Sequence, residues 1–374
     1  MTANGRQKFD VIVVGGGNIG SATAYGLAES GLQVVMLDEG DMALRSAHGN
    51  FGLVWYQGKG KGMPRYVEWC LEATRKWPRF AEVLEHTTGV QIGYHQPGGF
   101  LLCRSPEAFA EREQHFEEIR RQSRSGAYDC ELIGRDELQA RIPNMALGPK
   151  IVGASFSPHD GHVNPLLLLR AMQTAFKQSG GRYYGGTAAV HIRHDGSRFQ
   201  VETAKGLFSA PKLVLAAGVG IPRLAAMLDM NIPVVPERGQ LLVTERVHPL
   251  LPYPISGIRQ TDEGSFMLGV SNESVGYDTK VTTDVMQYIA RRAFEAFPCL
   301  GDVRIVRSWA ALRPLTPDRY PIYHESTTYP GAFVLTSHSG VSLASLYATD
   351  IAGWIADGTK PEDFEHFSPR RFDV

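Results

Sequence analysis

The sequence predicts an α/β protein in which a first domain is interleaved with a second domain that holds a mixed or antiparallel β-sheet. Residues 9–40 carry the pattern of a strand, a glycine-rich turn, a helix and a second strand, which is the βαβ unit of a parallel sheet. Residues 253–270 alternate between apolar and polar side chains, which is typical of antiparallel strands. Residues 332–357 predict one more strand and helix, and these need the first sheet as a partner.

The first strand, residues 11–14, is a β-branched apolar run, as expected of a strand that is buried on both faces. It leads into Gly15, Gly17 and Gly20, which are spaced G-x-G-x-x-G. The first glycine permits a tight turn, the second lets backbone N–H groups approach a pyrophosphate, and the third lets the helix pack close to the sheet. Asp38 follows the second strand, where a carboxylate meets an adenosine ribose. The unit predicts a Rossmann-like dinucleotide site, disfavours NADP, and leaves NAD and FAD open.

The remaining elements follow from periodicity and from turn residues at their ends. The helix at 166–179 begins with Pro165 directly after Asn164, an ordinary helix start. A buried strand ends in Ala217 and Gly218, where small side chains let a ligand approach the backbone. The predicted helices are 66–85, 106–124, 166–179, 282–297 and 342–357, and the predicted strands are 32–37, 100–103, 151–156, 182–190, 199–204, 212–217 and 332–336.

Composition excludes several classes of protein. The 374 residues, with 43% apolar and 21% charged side chains, are typical of a soluble protein of two domains. A net charge of −1 gives no electrostatic reason to expect nucleic acid or an anionic membrane as a partner. No apolar run approaches the ~18 residues of a membrane span, and the polar start MTANGRQK lacks the apolar region of a signal peptide. We therefore expect a cytoplasmic protein.

No metal site or disulfide framework is expected. The cysteines lie far apart and form no CxxC pair, so we expect reduced thiols and no iron–sulfur cluster held by this chain alone. His159, Asp160 and His162 are close in sequence, but no further ligands follow at suitable spacing, so this segment is expected to be a capped loop. The cysteines are Cys70, Cys103, Cys130 and Cys299.

Six segments carry a more specific signal because of the order in which they occur. They are VVGGGNIG (13–20), LDEG (37–40), LVLAAG (213–218), VVPERGQLL (234–242), WAALRPLTPDRYPI (309–322) and SHSGVSLA (337–344). With them the chain resembles, over nearly its whole length, the D-amino-acid oxidase superfamily of FAD enzymes, which includes glycine oxidase and sarcosine oxidase. The segments GNFGLVWYQGKGKGMP (49–64), HQPGGF (95–100) and DGHVNPLLLLRA (160–171) resemble the β-type subunit of the heteromeric opine oxidases, the octopine and nopaline dehydrogenases, in particular.

The resemblance implies a D-amino-acid oxidase/glycine oxidase type of fold with FAD as cofactor, and an enzyme that acts on CH–NH donors. An opine such as octopine or nopaline would pass a hydride to FAD, and the imine would hydrolyse to an amino acid and a 2-oxo acid. Relatives of this kind work in a hetero-oligomer whose other subunits carry electrons onward, through an iron–sulfur centre or a second flavin. Alternatives are a D-hydroxyproline, D-proline, sarcosine or glycine-type enzyme, an FAD electron-transfer subunit with catalysis in a partner chain, and an NAD-linked dehydrogenase.

The same resemblance places the domains and the cofactor contacts. It implies an FAD-binding domain of residues 1–85, 146–224 and 300–374, and a substrate-binding domain of residues 86–145 and 225–299. Gly340, Val341 and Ser342 are expected to open the last helix toward the flavin. The other implied contacts are Gly15, Gly17, Ile19 and Gly20 at the pyrophosphate, Asp38 and Glu39 at the ribose, Val190 at adenine, Ala217 and Gly218 at the ribityl chain, and Ser46, Asn50, Phe51 and Gly52 along the flavin.

For the substrate, the resemblance assigns Arg313 in the LRP motif to a carboxylate, because a guanidinium offers that group a bidentate fork. An opine carries a further carboxylate, and Arg259 is the predicted second cation. No side-chain base is assigned, and covalent attachment of flavin to His48 is not expected. Tyr56, Gln57, Asn272 and His338 are candidates for the pocket wall.

Overall fold

The computed structural model describes residues 7–40, 45–123 and 128–373. The N-terminal residues 1–6, and residue 124 at the predicted end of one helix, lie outside this range. The α/β class and the presence of several sheets are confirmed. Among the described residues, no helix is long and apolar enough to cross a bilayer.

The largest sheet has six strands and contains the first βαβ unit. Its strands are parallel except for the edge strand at residues 322–325, which is antiparallel to its neighbour. In spatial order the strands are Ile322–Glu325, Ala332–Thr336, Lys212–Leu215, Val11–Val14, Val34–Leu37 and Arg182–Tyr184. The predicted return of the C-terminal strand to the first sheet is therefore confirmed.

Both faces of this sheet are covered, which explains the apolar run VIVV. Val11 and Val13 belong to one apolar cluster with the long helices, and Ile12 and Val14 belong to a second cluster on the opposite face. A small sheet covers that second face. Its strands, in spatial order, are Gln7–Lys8, Gly206–Ala210, Phe199–Thr203 and His191–His194.

The second large sheet is antiparallel and has four strands joined to three more. A bridge between Phe100 and Ile255 connects the two parts. The four strands, in spatial order, are Ile258–Gln260, Ser265–Leu268, Val235–Arg246 and Ile305–Leu315. The three are Gly99–Cys103, Gly153–Ser157 and Glu131–Gly134, and Leu53–Val54 pairs separately with Gly161–His162.

Helices pack on these sheets through their apolar faces, and a third apolar cluster lies between Thr283–Ala296 and the second sheet. The α-helices are Asn18–Glu29, Pro64–Thr88, Pro106–Gln122, Arg135–Arg141, Pro165–Gln178, Ile221–Ala225 and Thr283–Ala296. The 3₁₀ turns are Gly218–Gly220, Ala226–Leu228, Pro298–Asp302, Phe364–Phe367 and Pro369–Phe372.

The last helix differs from the prediction. It consists of Ala344–Leu346, a π-helical turn Tyr347–Ile351 and Ala352–Asp357, so the expected start at residue 342 is a turn instead. The π-helical turn packs on the first helix, where a Cβ at Gly26 would lie 2.1 Å from the carbonyl oxygen of Ala348. The unusual backbone and the missing side chain allow this close approach.

Two other predictions are corrected. The strand at 182–190 ends at Tyr184, because it pairs only with Val34–Leu37 and the chain then turns at Gly186, where φ is +59°. The proposed boundary at residue 300 cuts through a sheet, since Ile305–Leu315 pairs with Val235–Arg246 from Val235 to Thr244. The boundary at 146 likewise separates Gly153–Ser157 from its partner strands.

Candidate active site

The glycine-rich turn after the first strand is shaped by close backbone contacts. Gly15 has a φ of +112°, and a Cβ there would lie 2.4 Å from the carbonyl oxygen of Ala216. A Cβ at Gly20 would lie 1.8 Å from the carbonyl oxygen of Gly15. A Cβ at Gly17, in contrast, would meet only Ala47 at 3.7 Å. Packing therefore requires glycine at 15 and 20, whereas Gly17 leaves the turn open for a ligand.

Asp38 is bound to this turn by hydrogen bonds. The backbone N–H of Gly16 donates to Oδ2 of Asp38 at 2.7 Å, and the N–H of Gly40 donates to Oδ1 at 2.9 Å. Arg45 lies 3.7 Å from the same carboxylate and also pairs with the more exposed Glu39. The carboxylate of Asp38 thus fixes the turn to the end of the second strand.

A cavity of about 1290 Å³ runs from this turn to the strand Ile305–Leu315. It exceeds the roughly 300–1,000 Å³ of ordinary small-molecule pockets, as a site for a dinucleotide and a substrate requires. His48 also lines it. The predicted residues in its lining are Gly15, Gly17, Ile19, Asp38, Glu39, Ser46, Asn50, Phe51, Ala217, Gly218, Arg313, His338, Gly340, Val341 and Ser342.

Three predicted cofactor residues do not line the cavity. Gly20 packs the helix against the turn, as its close contact with Gly15 shows. Gly52 has a φ of +86°, and a Cβ there would lie 2.3 Å from the carbonyl oxygen of Val163. The side chain of Val190 is 60% exposed, and Ala189 lines the cavity instead. The position of Val190 follows from the early end of its strand, since its N–H donates to Glu202 of the small sheet at 2.8 Å.

Tyr56 is also not in the cavity wall. Its ring packs 5.3 Å from that of Tyr128 and 5.6 Å from that of His159, measured between centroids. Trp55 lines the cavity, and the next side chain along an extended segment points to the opposite side. Gln57 is likewise buried, with its side chain bound to Asp160 at 2.7 Å. The prediction of Tyr56 and Gln57 as pocket residues is therefore corrected.

Arg259 lies behind the cavity. Its Nε donates to the carbonyl oxygen of Phe51 at 2.5 Å, and its guanidinium lies 5.7 Å from the Phe51 ring. Burial lowers the pKa of Arg259 to about 10. Arg259 contributes to a separate, smaller cavity of about 380 Å³ together with His95 and His162. The second-cation prediction is corrected, because Arg259 does not line the large cavity, whereas Phe51, to which it donates, does.

Arg313 is held from one side. Its Nη2 forms an ion pair with Oε1 of Glu237 at 2.9 Å and donates to Oδ1 of Asn272 at 2.8 Å and to the carbonyl oxygen of Ser271. Glu237 is directly opposite Arg313 in the strand register and also pairs with Arg319 at 2.7 Å. Among the described residues, Nε of Arg313 has no hydrogen-bond partner. The Nη2 end of the guanidinium is thus fixed, and the side chain lines the cavity.

His338 is neutral in this site. Desolvation by the surrounding protein, followed by the positive charges of Arg313 and Lys59, lowers its pKa to about 3. The imidazole is exposed to the cavity that it lines. Near neutral pH it offers a hydrogen-bond donor and an acceptor without a charge.

A family model described as "FAD dependent oxidoreductase" matches residues 10–354. The chain belongs to this family. Its relatives include an opine oxidase subunit from Agrobacterium tumefaciens (strain Ach5), 36% identical with 98% of both chains covered, and the protein of the same name from Rhizobium meliloti, 36% identical with the same coverage. The structure of glycine oxidase from Geobacillus kaustophilus superposes with a TM-score of 0.89, 26% identity, and coverage of 96% of this chain and 98% of that chain. The superfamily resemblance is confirmed, and the protein is an FAD-dependent oxidoreductase.

The residues at the glycine-rich turn fit FAD. Gly17 and Gly218 leave room where a Cβ would fill the cavity wall, since a Cβ at Gly218 would meet only Pro314 at 3.9 Å. Asn18 opens the first helix at the cavity, and its buried Oδ1 has no partner among the described residues. That helix presents its N-terminal N–H groups to the site, as a pyrophosphate requires.

Lys59 is a further residue of the site, and the sequence analysis did not predict it. Lys59 lines the cavity, and its Nζ donates to Oγ of Ser339 at 2.8 Å and to Oγ of Ser342 at 3.3 Å. Desolvation lowers the pKa of Lys59. Its position between Gly58 and Gly60 could have indicated it. Glycines on both sides leave a lysine side chain free of neighbouring side chains, in a segment that was expected to run along the flavin.

Proposed function

We propose that this enzyme oxidises the secondary amine of an opine, of which octopine and nopaline are the first to test. The fixed guanidinium of Arg313 carries the proposal. Its Nη2 is held by Glu237, Ser271 and Asn272, and the side chain lines the cavity. A carboxylate of an amino-acid-derived substrate suits a guanidinium at the cavity wall, because charge-assisted bonds to arginine are strong and directional. The two relatives named as opine oxidase subunits support the choice of an amine.

The glycine-rich turn and the start of the first helix would hold FAD, which would supply a hydride acceptor for the carbon next to the substrate nitrogen. Arg313 holds the carboxylate and so determines which C–H bond is presented for transfer. The substrate nitrogen has to react as a neutral amine, because its lone pair becomes the C=N bond. His338, with a pKa of about 3, is too weak a base to hold the proton of an alkylammonium group. We therefore assign no side-chain base, and water then splits the released imine into an amino acid and a 2-oxo acid.

We further propose that the chain is the catalytic subunit of a hetero-oligomer. The relatives at 36% identity are named as subunits. The cysteines Cys70, Cys103 and Cys130 are buried, and all four cysteines of the chain are free thiols in the structure. An iron–sulfur centre for onward electron transfer would therefore have to belong to a partner chain.

The test is an anaerobic titration of the purified, FAD-containing chain, followed by flavin absorbance, with octopine, nopaline, D-hydroxyproline, sarcosine and glycine. We expect an opine to bleach the flavin with the lowest half-saturating concentration. Bleaching by D-hydroxyproline, sarcosine or glycine alone would replace the opine with that substrate class. Flavin that no amine bleaches, both in the isolated chain and after assembly with its partners, would contradict the proposal.

A further inference from the structure

Lys59 presents a cation to the substrate end of the cavity without a paired carboxylate. Its ammonium group contacts only hydroxyl groups, those of Ser339 and Ser342, and among the described residues it forms no ion pair. A partly buried ammonium group without a counterion is costly unless a ligand supplies the negative charge. We propose that Lys59 binds the second carboxylate of the substrate, so that the site takes secondary amines with a carboxylate on each arm. This inference rests on the proposed function.

The two cations act on the same part of the cavity. Arg313 comes from the strand Ile305–Leu315, whereas Lys59 comes from the glycine-rich segment and is attached to the turn before the last helix. The positive charges of both act on the imidazole of His338. Lys59, Arg313 and His338 all line this cavity, so a molecule with two separated carboxylates would meet two cations there.

The charges around this end support the same class of substrate. Among the described residues that line the cavity, the carboxylates are Asp38 and Glu39, which lie at the nucleotide end. Asp160 is near enough to act on Lys59, but it accepts hydrogen bonds from the backbone N–H groups of Tyr56 and Gln57. Burial also raises the pKa of Asp160 to about 7, so it supplies only part of a negative charge near neutral pH. Arg313 is paired with Glu237, whereas Lys59 forms no ion pair among the described residues, so its charge is the one that a second carboxylate would balance.

The binding of two thioethers tests whether Lys59 binds a second carboxylate, and it requires no catalytic turnover. Thiodiacetate carries a carboxylate on each arm, and (methylthio)acetate lacks one of them; neither contains an amine. Their dissociation constants are measured from the change in flavin absorbance of the FAD-containing chain. In the wild type we expect thiodiacetate to bind the more tightly. In Lys59→Met we expect about 100-fold weaker binding of thiodiacetate and less than about 3-fold change for (methylthio)acetate, as for loss of one partner of a charge pair.

Lys61→Met is the matched control. Lys61 lies in the same segment, but its ammonium group is exposed and pairs with Glu118. We expect it to leave both dissociation constants unchanged, and Lys59→Arg to retain most of the preference for thiodiacetate. FAD content and the flavin spectrum of each variant show whether the site has folded.

The outcomes separate the inference from the function on which it rests. Equal weakening of both thioethers in Lys59→Met, or no weakening, would overturn the role of Lys59. If Lys59→Met still binds thiodiacetate more tightly than (methylthio)acetate by the wild-type ratio, the role of Lys59 is also overturned, even if opines are oxidised. Failure of every amine to bleach the flavin, together with selective loss of thiodiacetate binding in Lys59→Met, would refute opine oxidation while leaving the two-carboxylate site in place.

Discussion

The two ends of the cavity are built in different ways. At the nucleotide end, backbone atoms form the wall, and Gly15 and Gly20 are so closely packed that a Cβ would lie 2.4 Å and 1.8 Å from carbonyl oxygens. At the substrate end, the wall is formed by charged side chains that other side chains hold, such as Arg313 by Glu237. An added methyl group at Gly15 or Gly20 would disrupt the nucleotide end. At the substrate end, a charged side chain can be replaced without a change in the backbone. We therefore expect cofactor binding to depend mainly on sterics and substrate binding mainly on electrostatics.

The largest expected effect comes from Gly20→Ala. The added Cβ would overlap the carbonyl oxygen of Gly15, which is backbone and cannot move aside. We expect FAD affinity to fall on the order of 100-fold or more, because the helix must move away from the turn. The measurement is FAD content after purification, followed by titration of the apoprotein with FAD.

Gly353→Ala is the matched control for this change. Gly353 also lies in a helix, Ala352–Asp357, but a Cβ there meets nothing within 4 Å. Alanine is the better helix former, so stability should remain or rise by up to about 1 kcal/mol. Full FAD content in Gly20→Ala would contradict the steric account of the nucleotide end.

A smaller effect is expected from Arg313→Met at the substrate end. Loss of the charge-assisted contact to a buried carboxylate should lower kcat/KM for the best substrate by about 100- to 1,000-fold. FAD content should stay unchanged, because the residue belongs to a side-chain network. The measurement is the reduction of bound FAD by substrate under anaerobic conditions.

Arg319→Met serves as its control. Arg319 pairs with the same Glu237 at 2.7 Å, but its side chain is 60% exposed and does not line the cavity. We expect a change of less than about 10-fold in kcat/KM. Equal losses in the two variants would show that Glu237, rather than contact with the substrate, explains the importance of Arg313.

The smallest expected effect is on the free energy of unfolding, and it comes from Asp160, which holds a segment next to the substrate end. Asp160 holds the segment at Tyr56 and Gln57, and burial raises its pKa to about 7 from an ordinary value near 4. Between these values the folded state binds the proton more strongly than the unfolded state, so this contribution to stability is present below about pH 4 and is lost as pH rises to about 7. The loss amounts to at most about 1.4 kcal/mol per pH unit.

Denaturant unfolding of wild type and Asp160→Asn at several pH values measures this contribution. The difference between their unfolding free energies should change between pH 4 and 7 and be constant above. Asp129→Asn is the control, since Asp129 is an exposed carboxylate that contacts His159 at 2.9 Å. A difference that does not depend on pH would show that Asp160 is ionised throughout this range.

Much of the nucleotide end could be predicted from the sequence. The strands, the first helix and the packing of Gly20 against Gly15 depend on neighbours within about one βαβ unit, where periodicity and backbone sterics are local. The close contact of Gly15 with Ala216, in contrast, joins remote parts of the chain. The predicted strand at 182–190 was wrong at its end, because a strand extends only as far as its partner, and that partner is Val34–Leu37.

The sequence by itself determined the fold class, the FAD family and the presence of Arg313 in a substrate motif. Tertiary structure decided which cations line the large cavity. Arg259 and Lys59 both lie in candidate segments, but Arg259 donates to Phe51 and lines a separate cavity, while Ser339 and Ser342 hold Lys59 at the large one. The strand register likewise placed Glu237 opposite Arg313. The physical reason is that charge acts over spatial distance, and contacts between residues remote in the chain set that distance.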